Sequence, residues 1–495
     1  MRSIFEKIER NHYLPAGTPG HGFSGFMDVK HSDSSTYAST PGRLSVLSTM
    51  AAHFNLTGSI FDSLNQDVNF LDTKTAHRDT AQGLFGLPLH TNQVNRRWAP
   101  RDVVHSVLAA TNPDGTPRYN LTVQIESLAT KILFSSDTNG KPKARGVEFL
   151  EGQGVYKATW GYNLTNATKG NLKRAYARKE VIVSGGTFNS PQILQLSGIG
   201  ERQHLQSLGI NVVVDLLGVG RNLQDNQESP VIGHGVGNFT VPVAPDAVNC
   251  TKGAPGDPCL DLWMQNLGPY AGIQGNSELR MLTTDHSPDG SRVILMFMPP
   301  TPFRGYYPPT NQTDLGLFTD PPTTAFRNMV RMSPQNNAGY VRITSSDPTD
   351  QPEINFQHFE VGADLDIGAM MDTVAWIRRV FADIPAPYGP VMPTEPPCPA
   401  GVQADGYCKD RSQDQQWIVD QTFGHHPTSS CVIGRDGDSM AVLDSKFRVR
   451  GVDGLRVVDA SIFPRNPGAF PVVSTTMVGQ KGSEVILDDR DNWGV

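Results

Sequence analysis

Two adjacent histidines near the C-terminus, His425 and His426, stand in the segment GHHPTSSCVIG (Gly424–Gly434). A neutral imidazole ionises close to working pH and is suited to take a proton from a reacting hydroxyl. About thirty residues on, Leu455-Arg-Val-Val reads as a strand with Asp459 at its end. The end of a strand is where an open α/β sheet presents ligand-binding groups, although a carboxylate there also serves as a helix or turn cap. A third element is GGTFNSPQILQLSGIG (Gly185–Gly200), which follows the β-branched run Glu180–Val183. Strand, glycine turn and helix N-terminus in that order let backbone approach a dinucleotide closely, with the helix dipole favouring negative charge. Asn189 or Ser190 is expected to cap that helix, with Pro191 in its first turn.

Other elements must hold these three in place. Asn120–Ile125, Thr130–Phe134 and Ala144–Leu150 read as strands, with the hairpin signal Asn139-Gly140 between the last two. ERQHLQSLGI reads as an amphipathic helix ending at Gly209, followed by a strand over Asn211–Leu216. The fragment Gly218-x-Gly220 comes next. From about Pro230 the chain becomes loop-rich, with isolated strands at Arg292–Met298 and Gly339–Thr344. Ala363–Phe381 has helical spacing of apolar residues. A Pro-rich link, PAPYGPVMPTEPPCPAG, leads to a helix over Asp414–Gln421 and the histidines. A last helix is expected over Val473–Asp488.

Composition bounds the rest. The chain has 495 residues with 48 glycines and 37 prolines, enough for two or three domains with many loops. A net charge of −7 and no basic stripe argue against a nucleic-acid partner, and no apolar run is long enough to span a membrane. Five cysteines include Cys250 and Cys259, and Cys398 and Cys408, each two bracketing a short Pro/Gly-rich loop. Local disulfides within each loop are the predicted pairing and Cys431 the odd thiol; a zinc site and free thiols are the competing readings. Sequons occur at Asn55, Asn120, Asn163, Asn166, Asn238, Asn249 and Asn311. With the cysteines they favour a secreted protein, whereas the charged N-terminal segment MRSIFEKIERNHYL lacks a signal peptide's apolar core.

The glycine turn and the two C-terminal blocks, GHHPTSSCVIG and DGLRVVDASIFPRNPGAFPVV, together resemble the glucose-methanol-choline (GMC) flavoprotein oxidoreductases. Within that family the HHP and PRNPGAFPV patterns look most like a fungal branch that includes secondary-metabolite dehydrogenases. The resemblance implies an α/β fold with an FAD-binding Rossmann-like domain and an α+β substrate domain built on an antiparallel sheet. It divides the chain into 1–229 (FAD domain), 230–408 (substrate domain) and 409–495 (return to the FAD domain). It places His426 on the catalytic histidine, His425 beside it, and Asp459-Ala460 on a flavin-contacting pair. Further cofactor contacts are implied at Ala129, Gly185, Gly186, Phe470 and Pro471, with no metal.

The implied reaction is FAD-dependent oxidation of an alcohol, aromatic or polyketide in this branch, with oxygen or a quinone as electron acceptor. A hydroxynitrile-lyase-like activity and an inactive glycoprotein are the alternatives. Two departures stand out. Eleven residues after Asp459, where the family has a second His or Asn, this chain has Phe470. The opening GxGxxG of the family is also not found, and His21-Gly-Phe-Ser-Gly matches a stretch well past it. The expectation is therefore an FAD domain without its first βαβ, a signal peptide being lost with it.

Overall fold

The computed structural model describes all residues except 33, 69–79, 137–139, 160–161, 163–169, 241–247, 249, 252–253, 269, 271–277, 299–301, 306–319 and 491–495. The sequons at Asn163, Asn166, Asn249 and Asn311, and Asn139 of the hairpin signal, lie outside the described residues.

The chain forms two compact units. The first comprises Met1–Ser106, Gln227–Met332 and Gly362–Gly424. Its centre is a six-stranded sheet in the order Met392–Glu395, Gln227–His234, Thr324–Arg331, Ile294–Phe297, Glu278–Leu282 and Gly83–Gly86. Every neighbouring pair is antiparallel. The longest pairing runs from Gln227 opposite Arg331 to His234 opposite Thr324. Helix Ala363–Asp383 packs against this sheet, burying Met370, Val374, Ile377 and Phe381 at helical spacing. Buried ion pairs fix it at both ends: Arg331 Nε donates to Asp366 at 3.0 Å, and Arg378 pairs with Asp414 of helix Arg411–Gln421 at 2.7 Å. Cys250–Cys259 and Cys398–Cys408 are disulfides, as the spacing predicts.

The second unit comprises Val107–Asn226, Ser333–Val361 and His425–Val495. Its core gathers Val181, Val183, Leu194, Leu443, Leu455, Val457, Val478 and Val485. Strand Val181–Val183 runs parallel to Leu455–Val457, with Val181 opposite Leu455. A three-stranded antiparallel sheet, Ser127–Ser136, Pro142–Glu151 and Asn171–Tyr176, lies in the same unit. Helices Gly186–Leu196 and Val472–Asp489 complete the frame.

Several expectations need correction. Residues 1–106 group with the large antiparallel sheet rather than with Val107–Asn226. Tyr37, Leu47 and Leu64 pack with Ile232 and Phe326 in one buried cluster, and Gly83–Gly86 adds an edge strand to the large sheet. Helix Arg411–Gln421 also stays with that unit, through Arg378–Asp414. Gly339–Thr344 is not a strand of the large sheet: the observed strand Gly339–Arg342 pairs with Arg221–Leu223 and Glu353–Asn355 in the second unit. The strand expected over Asn120–Ile125 is absent. Leu121, Val123 and Ile125 alternate but stay exposed, and ladder pairing begins at Ser127 opposite Glu151. Strand Asn171–Tyr176, fully exposed along its length, was not foreseen, and Asn211–Leu216 contributes only Val214–Asp215.

Candidate active site

The glycine turn is built differently from its sequence reading. Gly185 is the N-cap and the helix starts at Gly186, so neither Asn189 nor Ser190 caps it and Pro191 lies inside. Proline at that position removes the N–H that would serve the Thr187 carbonyl. The Ser430 hydroxyl replaces it, donating to Thr187 O at 2.5 Å. Ser190 instead folds back: its Oγ accepts the Gly185 N–H at 2.9 Å and donates to Asp459 Oδ2 at 2.5 Å. Gly186 N–H donates to the same oxygen at 3.0 Å, and Ser461 N–H donates to Asp459 Oδ1 at 2.8 Å. Asp459 thus closes the turn and caps the short 3-10 helix Ala460–Ile462.

Both of its oxygens face protein donors, so a ligand here meets backbone rather than the carboxylate. Gly186 has φ +79°, and a Cβ placed on it meets no atom within 4 Å. Conformation, not crowding, demands glycine at this point, and the space beside it is clear.

The histidine segment is tied to this turn. Thr187 Oγ1 donates to Pro427 O at 2.8 Å, and Ser429 N–H donates to Ala460 O at 3.1 Å. Thr428 and Gln224 exchange backbone hydrogen bonds at 2.8 and 3.1 Å. Asp225 Oδ1 accepts the His426 N–H at 2.7 Å, and Asn466 Nδ2 donates to the His426 carbonyl at 3.4 Å. The peptide of His426 is therefore held from both ends. Its ring centroid lies 3.9 Å from that of His425 and 5.1 Å from that of Phe470, which stands edge-on at 70°. His426 is 9% exposed, and burial lowers its pKa to about 4. At neutral pH this imidazole is uncharged and able to accept a proton. The remaining cysteine, Cys431, is buried, and burial pushes its thiol well above the usual range.

Phe470 has φ +56°, a left-handed conformation costly for a bulky residue and characteristic of constrained sites. Pro471 follows as N-cap of helix Val472–Asp489, whose first turn carries no acidic residue. The structure thus gathers His425, His426, Phe470 and Pro471 with Gly185, Gly186, Asp459 and Ala460 in one unit. Ala129 sits apart from this hydrogen-bonded cluster, at a bulge of strand Ser127–Ser136, which packs on helix Gly186–Leu196. The sequence reading missed Asp225, Asn466, Thr187 and Ser430. The signal available for Asp225 was its place in LGVGRNLQDN, a polar run ending on buried residues after a glycine turn.

Two sequence profiles of the GMC oxidoreductase family match the chain, over residues 100–228 and 334–479. Together they cover more than half of it, and the chain belongs to that family. Human mitochondrial choline dehydrogenase is 28% identical over 415 residues, covering 83% of this chain and 60% of the relative. The Aspergillus terreus glucose methanol choline oxidoreductase atC is 29% identical, covering 74% of this chain and 55% of the relative. The chain thus spans less than two thirds of these relatives. Among solved structures, an Aspergillus oryzae formate oxidase variant superposes with a TM-score of 0.71 at 19% identity, covering 100% of this chain and 78% of that one. A fungal aryl-alcohol oxidase gives 0.66 at 18% identity, with 98% and 78% covered. At those identities the likeness establishes the fold.

Proposed function

We propose that this chain belongs to an FAD-dependent enzyme that oxidises an alcohol to its carbonyl, with His426 as general base. The observation that carries the reading is a buried, uncharged imidazole held from both ends of its peptide and tied to a glycine turn with clear space beside it. That turn fits a flavin: Gly186 leaves room for a flat ring or a phosphate, and the first turn of helix Val472–Asp489 bears no competing carboxylate. Gly185, Gly186, Ala460, Phe470 and Pro471 would hold the cofactor, with Ala129 contributing from its strand. When bound, FAD supplies the two-electron acceptor for the alcohol's hydride. His426 takes the hydroxyl proton, His425 packs against it, and the Phe470 ring shields the pair from water.

The named relatives, choline dehydrogenase and aryl-alcohol oxidase, support a small alcohol as substrate, and the formate oxidase study concerns FAD modification. Phe470, where the family has a polar residue, favours an aromatic or polyketide alcohol. The second unit is assigned the flavin role and the antiparallel unit the substrate role, with oxygen or a quinone as electron acceptor. Two disulfides and the sequons support a place in the secretory route, and the resemblance to the fungal branch supports secondary metabolism. Among the described residues no helix is long and apolar enough to cross a membrane.

The test is alcohol-dependent bleaching of the flavin in the full-length protein. His426→Ala should keep the yellow colour and slow bleaching by about 10²-fold or more, the usual worth of positioned proton transfer. His425→Ala should cost less. Unchanged bleaching in His426→Ala would remove it as the base. A parent flavin that stays oxidised while a cyanohydrin is cleaved would establish the lyase instead.

A further inference from the structure

The antiparallel unit carries a cavity that shares no residue with the site above. It has a volume of about 580 Å³ and is lined by Trp98, Trp263, Arg96, Arg97, Arg101 and Asp102, among others. That volume lies within the range of small-molecule sites.

Its walls are fixed by the chain around them. Thr91 and Arg97 form an antiparallel bridge closed by a tight turn. Asn92 Oδ1 accepts the N–H groups of Val94 and Arg96 at 3.1 and 3.0 Å. Arg96 is consumed by structure. Its Nε donates to Asn266 Oδ1 at 2.6 Å and its Nη2 to Met264 O at 3.0 Å, while the guanidinium lies 5.0 Å from the Trp263 ring centroid. Trp263 itself rides on helix Pro258–Met264, which the Cys250–Cys259 disulfide anchors. Trp98 is 6% exposed and braced by Phe26 and His90.

The acidic groups of the lining are also engaged. Asp28 pairs with His12 at 2.6 Å and with Arg10 at 3.5 Å, and Asp102 Oδ2 accepts the Ala99 N–H at 2.7 Å. Arg97 and Arg101 differ: among the described residues neither has a carboxylate in ion-pair contact. The cavity therefore offers two uncommitted guanidinium groups beside two indoles. Guanidinium forks match planar oxyanions two bonds at a time, and indoles stack on flat rings.

We propose that this cavity binds an aromatic carboxylate, its ring against Trp98 and Trp263 and its anionic end on Arg97 and Arg101. The site is independent of the alcohol-oxidation reading, so either can fail alone. Isothermal titration of the full-length protein with naphthalene-2-carboxylate tests it, using naphthalene-2-carboxamide and cyclohexanecarboxylate as partners that lack the charge or the ring. Saturable binding of the naphthoate is expected, at least about tenfold tighter than either partner and weakening as salt is raised. The exposed double variant R97Q/R101Q should fold like the parent by thermal melt and bind the naphthoate at least about tenfold more weakly. No saturation by the parent overturns the proposal. Equal binding by the double variant, or by the carboxamide, overturns it as well.

Discussion

Each unit buries a histidine, and the two are tuned in opposite directions. In the antiparallel unit His21 lies between carboxylates, Nδ1 at 3.0 Å from Glu9 and Nε2 at 3.2 Å from Asp67. Burial alone would lower its pKa, but the hydrogen bonds it donates to Asp67 and Glu9 outweigh that and lift it to about 9. In the other unit His426 is buried against His425 and Phe470, and burial takes it to about 4. Burial of the ring is common to both, so the neighbours decide. With carboxylates hydrogen-bonded to both nitrogens the imidazole is a fixed cation that holds structure; where burial alone shifts it, the imidazole is a neutral base.

The largest effect should come from dismantling the cationic case. Glu9 also accepts Gly22 N–H at 2.8 Å and Asn11 Nδ2 at 3.0 Å, so Glu9→Gln retains an acceptor but discharges one side of a buried pair. A loss of about 3 kcal/mol is expected in urea unfolding, with the flavin chemistry at His426 intact per folded molecule. The sign of the pH dependence follows from the raised value. The stabilisation is fully present below the unfolded pKa near 6.5 and is lost as pH rises through about 9. The parent should therefore lose stability between those limits, and Glu9→Gln should lose less.

A smaller effect tests the neutral case. Phe470→Asp puts a carboxylate beside His426 at a left-handed backbone position that aspartate tolerates better than phenylalanine. The His426 environment then moves toward that of His21. In the parent, flavin reduction should hold from neutral pH down to about 5 and fall as the imidazole protonates near 4. In Phe470→Asp the acid limb should move upward by about one unit or more, as for an opposite charge within contact distance. An unmoved limb would show that residue 470 does not govern the proton affinity of His426.

Much of this was legible in the chain, and the illegible parts share a cause. The helix expected over Ala363–Phe381 is present as Ala363–Asp383, because a long apolar period is a local signal. Strand Leu455–Val457, the start of helix Val472–Asp489 and both disulfides were likewise readable nearby. Asn120–Ile125 has a strand's alternation, yet alternation cannot announce whether a partner strand exists. Pro191 read as a helix start because its missing N–H is tolerated there. The structure tolerates it mid-helix because Ser430, 239 positions on, serves the stranded carbonyl. Residues 1–106 could not be allotted to a unit without knowing that Leu47 and Leu64 meet Ile232. Local pattern reveals elements; allegiance between distant segments decides units and site supports.

Asp225 is such a distant support, and its removal should have the smallest effect. It is 3% exposed, and its Oδ1 accepts the His426 N–H across 201 positions of sequence. The bond holds the peptide rather than the ring, and burial is the single cause of the depressed imidazole pKa. Asp225 therefore acts as a positioning residue for His426. Asp225→Asn keeps an acceptor oxygen in place but gives up the charge assistance, a difference of about 1 kcal/mol. Expressed as flavin reduction, that is a loss of roughly three- to tenfold with colour retained. The acid limb should stay near 4, unlike that of Phe470→Asp, because the ring's surroundings are unchanged. A shifted limb in Asp225→Asn would mean the carboxylate acts on the proton itself, and the contrast with Glu9 and His21 would collapse.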